Sequence, residues 1–96
     1  MDLGIAGRRA AVAAATAGLG RGAARALVAE GVHVAVCGRD PDRLADAVAD
    51  LRDRAAAGTE VVGIEADVSD GDGGRAFVEA ALAALGTIDV LVANAG

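Results

Sequence analysis

Apolar positions along the chain alternate between short continuous runs and segments in which they recur every three or four residues. Ala10–Ala14 is a continuous run and is predicted as a buried strand. Its alanines give little strand propensity, so the assignment rests on the segment that follows. From Gly18 to Glu30, Leu19, Ala23, Ala26 and Leu27 are spaced for one helix face, with Gly31 just past the end. Val32–Cys37 alternates, with Val32, Val34 and Val36 on one side and His33, Ala35 and Cys37 on the other. Asp40 as N-cap and Pro41 at the first helical position open a second helix. Its stripe is Leu44, Ala47, Val48 and Leu51, and Gly58 is its expected stop. Glu60–Glu65 is a third strand. Ser69 is read as the cap of a third helix, with Asp72 three residues on. Phe77, Ala81, Leu82 and Leu85 form that helix's apolar face, Gly86 stops it, and Ile88–Val92 is a fourth strand.

Strand and helix alternate throughout, which predicts parallel strands joined by helical crossovers. The fold class is α/β: the first half of a Rossmann-type doubly wound sheet, in one partial domain over residues 1–96. The apolar fraction is 54%, most of it Ala and Val, and Phe77 is the only aromatic residue, so the core is low in volume and suited to close helix-on-sheet contact.

The net charge of −5, with nine Arg and no Lys, argues against nucleic acid or an anionic membrane as partner. It also resembles the output of GC-rich coding. Cys37 stands alone, so no intramolecular disulfide forms and a reducing cytoplasm is expected. Neither a signal-peptide apolar region nor an uninterrupted run of roughly 18–20 apolar residues is present. No metal-binding cluster is predicted.

The chemistry is concentrated between the first strand and the first helix. A strand, a glycine turn and a helix N-terminus make a cradle for phosphate, because the first helical N–H groups lack intrahelical partners and the dipole is positive there. Gly18-Leu19-Gly20-Arg21-Gly22-Ala23 fits the G-x-G-x-x-G/A dinucleotide pattern, with two departures. Ala15, Thr16 and Ala17 delay the first glycine. The acid expected after the second strand is replaced by Gly38-Arg39. A P-loop requires Lys, and the chain has none.

With these features the chain resembles the short-chain dehydrogenases/reductases. Their Thr-Gly-x-x-x-Gly-x-Gly pattern aligns with Ala13-Ala14-Ala15-Thr16-Ala17-Gly18-Leu19-Gly20. Gly38-Arg39-Asp40, Asp67-Val68 and Ala93-Asn94-Ala95-Gly96 follow the second, third and fourth strands where that family has its marks, and Leu3–Arg8 is similar to its usual start. The resemblance implies a dinucleotide cofactor, a small carbonyl or alcohol substrate, and a homo-oligomeric full-length protein. Gly18 and Gly20 would let the backbone approach the pyrophosphate, or serve only as turn glycines. Ala14 replaces the family's first Gly and requires an ordinary backbone conformation there. Thr16 would reach ribose or phosphate, or bond its own turn. Asp67 would accept from the adenine amino group beside the Val68 backbone, or act as a loop carboxylate. Asn94, Ala95 and Gly96 would line the cofactor, or simply end a strand.

Arg39 carries the most information. Ligands of open α/β sheets bind beyond the carboxyl ends of the strands, and a guanidinium there forks onto phosphate where an acid would repel it. This selects NADP(H), with NAD(H) not excluded. The alternative is a surface Arg pairing with Asp40 or Asp42. His33, early in its strand, is read as structural, and Cys37 as a small buried hydrophobe.

Hydride transfer in the family is assisted by Tyr, Lys and Ser, with Tyr-x-x-x-Lys as signature. This chain has no Tyr and no Lys, and Ser69 follows the wrong strand, so no catalytic residue is assigned. The fourth strand, internal in the family's 3-2-1-4 order, would here be an edge bearing Val90 and Val92. The expectation is the cofactor-binding part of a longer NADP(H)-dependent oxidoreductase, possessing no activity alone, with an N-terminal similarity to 3-oxoacyl carrier-protein reductases as an associational hint to its substrate. The alternative is a non-catalytic nucleotide-binding or interaction module.

Overall fold

The computed structural model describes residues 5–13, 18–69 and 71–93, apart from the side chains of residues 18, 19 and 93. The elements are β1 (Arg9–Ala13), α1 (Gly18–Ala29), β2 (His33–Gly38), α2 (Pro41–Arg54), β3 (Val61–Glu65), α3 (Gly71–Leu85) and β4 (Val90–Ala93). All pairings are parallel and the sheet order is β3-β2-β1-β4. The α/β reading holds, with strand ends displaced by one or two residues from the sequence expectation.

Two cores flank the sheet. On one side Ala10, Val12, Val34 and Val36 meet Ala24 and Val28 of α1 and Leu44, Val48 and Leu51 of α2. On the other, Ala11, Ala35 and Cys37 meet Phe77, Ala81 and Leu85 of α3. The alternation predicted for the second strand therefore divides as expected between the two sides. Cys37 is fully buried, in keeping with a small core hydrophobe.

Helix ends follow from local chemistry. Gly31 adopts φ 83° after α1. Val32 N–H bonds the Leu27 carbonyl at 3.0 Å and Gly31 N–H that of Val28 at 3.1 Å, the pairing of a Schellman motif. Asp40 caps α2 as predicted, its carboxylate accepting from the N–H groups of Asp42 and Arg43, with Pro41 in the first turn.

Four expectations require correction. The buried stripe of α1 is Gly20, Ala24 and Val28 with Leu27 at its border, and Ala26 is exposed. A stripe of small residues in an Ala-rich helix is displaced by one position without any change in apparent hydrophobicity. Helix α2 ends at Arg54, where Ala55 turns extended; Gly58 instead supplies a φ of 82° in the turn leading to β3. Ser69 stands two residues ahead of α3's first residue, Gly71, and its N–H bonds Asp67 Oδ1 at 3.0 Å, so it ends the β3 loop. Leu82 is 47% exposed, one position off the Phe77–Ala81–Leu85 stripe.

Among the described residues no helix is long and apolar enough to cross a membrane. Strand β4 is anchored to β1 at its start: Arg9 N–H donates to Asp89 Oδ2 at 2.9 Å, and Asp89 N–H donates to the Arg9 carbonyl at 2.7 Å. Its far edge bears Val90 and Leu91, 41% and 55% exposed. The expected apolar edge is present, with Leu91 exposed, whereas Val92 packs against the α1/α2 core.

Candidate functional site

Because every strand runs the same way, the carboxyl ends of β1–β4 lie along one edge of the sheet. Among the described residues, the candidates Arg39, Asp67 and Val68 follow the carboxyl ends of β2 and β3. Ala14, Thr16 and Ala17 follow β1, and Asn94, Ala95 and Gly96 follow β4; all six lie outside the described residues. Gly18 and Leu19 open α1 and Gly20 completes its first turn, which puts the unpaired amides of that turn at the strand-end edge. Gly20 is buried on the face that packs the sheet.

The first turn of α1 holds no acidic residue. Arg21, next in the chain, is drawn toward α2, where Asp50 receives Arg21 Nε at 3.2 Å, Arg25 Nε at 2.8 Å and Arg54 Nε at 2.9 Å. These charge-assisted bonds, those from Arg54 and Arg25 foremost, hold the Asp50 carboxyl well below the usual carboxylate range. The cluster ties α1 to α2 behind the strand-end edge. Sequence reading missed it, although the i,i+4 pairs Arg21/Arg25 and Asp50/Arg54 are visible in the chain.

Arg39 and Asp67 are brought together. Gly38 pairs with Glu65, and Ala66 N–H bonds the Gly38 carbonyl at 3.0 Å, so the residues leaving β2 and β3 emerge side by side. Arg39 Nη1 lies 3.8 Å from Asp67 Oδ2, with the Arg39 side chain largely open to solvent and that of Asp67 about half exposed. Its partner is therefore Asp67, rather than the neighbouring Asp40 or Asp42 that spacing suggested. The Ser69 hydroxyl and backbone N–H, and after them Arg39, hold the Asp67 carboxyl below the ordinary range. Val68 is half-buried against the α3-side core, which fixes the loop carrying Asp67.

His33 is remote from this edge: at the start of β2, its Nδ1 accepts the Glu60 N–H at 2.9 Å, a structural tie to the segment leading to β3. It borders an open depression of about 450 Å³, lined also by Ala6, Gly31 and Thr59, at the amino ends of the strands. Among the described residues no group of three or more His, Cys, Asp or Glu is placed to hold a metal.

The strand-end edge can hold a nucleotide: it offers unpaired amides at the start of α1, an exposed guanidinium at β2 and a fixed carboxylate at β3. The family model for short chain dehydrogenase matches residues 8–96. A protein assigned as ketoacyl reductase 1 of the granaticin polyketide synthase, from Streptomyces violaceoruber, is 45% identical over 87 residues, covering 91% of this chain and 31% of its own. L-xylulose reductase of Mesocricetus auratus is 39% identical over 95 residues, covering 99% of this chain and 34% of its own. The crystal structure of L-sorbose reductase from Gluconobacter frateurii, complexed with NADPH and L-sorbose, superposes with a TM-score of 0.89 at 34% identity, covering 100% of this chain and 36% of that one. The chain thus spans about a third of the length of these relatives. It belongs to the short-chain dehydrogenase family.

Proposed function

We propose that this chain is the cofactor-binding part of an NADP(H)-dependent short-chain oxidoreductase, acting on a carbonyl or alcohol substrate and assembling as a homo-oligomer in its full-length form. The observation that carries the cofactor preference is Arg39, which stands at the carboxyl end of β2 where an acid would favour a ribose 2′-hydroxyl. A guanidinium there offers paired donors to a 2′-phosphate. The L-sorbose reductase relative, complexed with NADPH, supports the same reading. The granaticin relative's ketoacyl reductase name supports a 3-oxoacyl-type substrate.

The cofactor, when bound, supplies the hydride. The chain's own residues bind and orient it. The backbone at Ala14, Thr16, Ala17, Gly18, Leu19 and Gly20 would hold the pyrophosphate, Arg39 the 2′-phosphate, Asp67 and Val68 the adenine, and Asn94, Ala95 and Gly96 the opposite side. With no Tyr or Lys, the 96-residue chain has no group for proton transfer at the carbonyl and turns over no substrate alone. Steady NADPH oxidation by the purified chain with a carbonyl substrate would refute that point.

The cofactor preference is tested by Arg39→Asp. Replacing the guanidinium by a carboxylate should lower NADP(H) affinity at least tenfold, since it removes a charge-assisted pair and adds repulsion, while NAD(H) affinity holds or rises. Equal affinities for NADPH and NADH in the unaltered protein would remove the basis of the assignment.

A further inference from the structure

We infer that Asp67 competes internally for Arg39, so that the two residues form a latch across the ends of β2 and β3 which a 2′-phosphate opens. The inference rests on the NADP(H) reading above and adds a residue that sets how strongly that phosphate is felt. The main chain fixes the two partners side by side, through the Gly38–Glu65 pairing and the bond from Ala66 N–H to the Gly38 carbonyl. Asp67 Oδ1 is committed to the Ser69 N–H at 3.0 Å, which directs Oδ2 toward Arg39 Nη1, 3.8 Å away. The nearer acid in sequence, Asp40, is otherwise engaged. It caps α2 through the N–H groups of Asp42 and Arg43, and its Oδ2 lies 3.9 Å from Arg43 Nε.

A 2′-phosphate therefore meets an Arg39 that already has an anionic partner. The phosphate carries more charge than a carboxylate and matches the guanidinium fork, so it takes Arg39. Binding must still break the existing pair and bring a second anion close to Asp67. An adenosine with a free 2′-hydroxyl has no anion to offer and leaves the pair in place. Asp67 thus lowers affinity for the phosphorylated ligand alone, and so narrows the preference that Arg39 creates.

The test compares 2′,5′-ADP with 5′-AMP, which differ only in the 2′-phosphate, by titration calorimetry at low ionic strength. The ratio of their dissociation constants isolates the phosphate from any contact with adenine. In Asp67→Asn the amide oxygen can still accept from Ser69 while the charge is gone. The preference for 2′,5′-ADP should rise about two- to fivefold, the range for releasing an exposed ion pair, and the gain should shrink in roughly 0.5 M salt. In an Arg39→Ala background the same substitution should produce a markedly smaller gain. Asp67→Ser, with circular dichroism as a check on folding, supplies a second uncharged variant and should give the same rise. If the unaltered protein prefers 2′,5′-ADP through Arg39 but neither Asp67 variant raises that preference, the latch is overturned and the NADP(H) reading stands. If the unaltered protein shows no preference for 2′,5′-ADP, both fall together.

Discussion

Gly63 offers the sharpest test of how the strand-end edge is positioned. It lies in β3 opposite Val36 and is exposed at the sheet edge, yet a Cβ added there would sit 2.7 Å from Val48 Cγ2, with Leu44 Cγ at 3.5 Å. Carbon atoms pack at about 3.5–4.0 Å, so Gly63→Ala asks Val48 or the whole of α2 to yield by about 1 Å. Val48 cannot easily comply: a β-branched side chain in a helix is held to one χ1. Overpacking of this kind costs about 1–3 kcal/mol. The alanine recovers about 0.4–1 kcal/mol by restricting the unfolded chain. The net expectation is a loss of about 1 kcal/mol, or about 4–8 °C in Tm for a domain of this size. Because the chain has neither Trp nor Tyr, urea unfolding is followed by far-UV circular dichroism rather than fluorescence. The decisive measurement is the double variant with Val48→Ala. Removing the obstructing methyl should make Gly63→Ala neutral or favourable in that background, a coupling of about 1 kcal/mol or more. Strictly additive effects, or a single variant more stable than the parent, would refute the packing described for α2 on β3.

The Asp50 cluster makes a pH-dependent contribution. Its folded carboxyl lies below the unfolded value of about 3.8, so the stability it adds is complete above about pH 5 and is lost as pH falls below that. Comparing Asp50→Asn with the parent by thermal melts should therefore show a lower Tm at pH 7 and a gap that begins to narrow as pH falls below about 4 and keeps narrowing with further acidification; a gap constant with pH would contradict the charge assignment. Phe77 is fully buried as the largest side chain under α3, and Phe77→Ala should remove about 3–5 kcal/mol by denaturant titration. A loss below 1 kcal/mol would mean that α3 does not rest on it.

Much of this was legible in the sequence because it is local. Asp40-Pro41 announces a helix start by chemistry confined to four residues, and the Val32/Val34/Val36 alternation needs only the period of a strand. Gly31 could be placed for the same reason. What failed to show was either degenerate or long-range. In α1 the residues Ala23, Ala24 and Ala26 are chemically alike, and only the neighbouring sheet selects Ala24 for burial. Gly58 reads as a helix stop whether it ends the helix or shapes the turn beyond it. The pairing of Arg39 with Asp67 requires β3 to lie beside β2 in a given register, which no spacing within the chain specifies. Asp50's role likewise needs the angle between two helices.

The order of the strands has a kinetic consequence. β1 lies at the centre and meets β4 through Arg9 and Asp89, 80 positions apart, whereas β2 reaches β1 after a single helix. Closing so long a loop is slow relative to closing the shorter ones. A chain emerging from the ribosome can therefore assemble β3-β2-β1 before β4 exists, leaving one side of β1 open until Asp89 arrives. The edge that gathers the ends of β1–β4 is thus completed only once β4 has paired with β1.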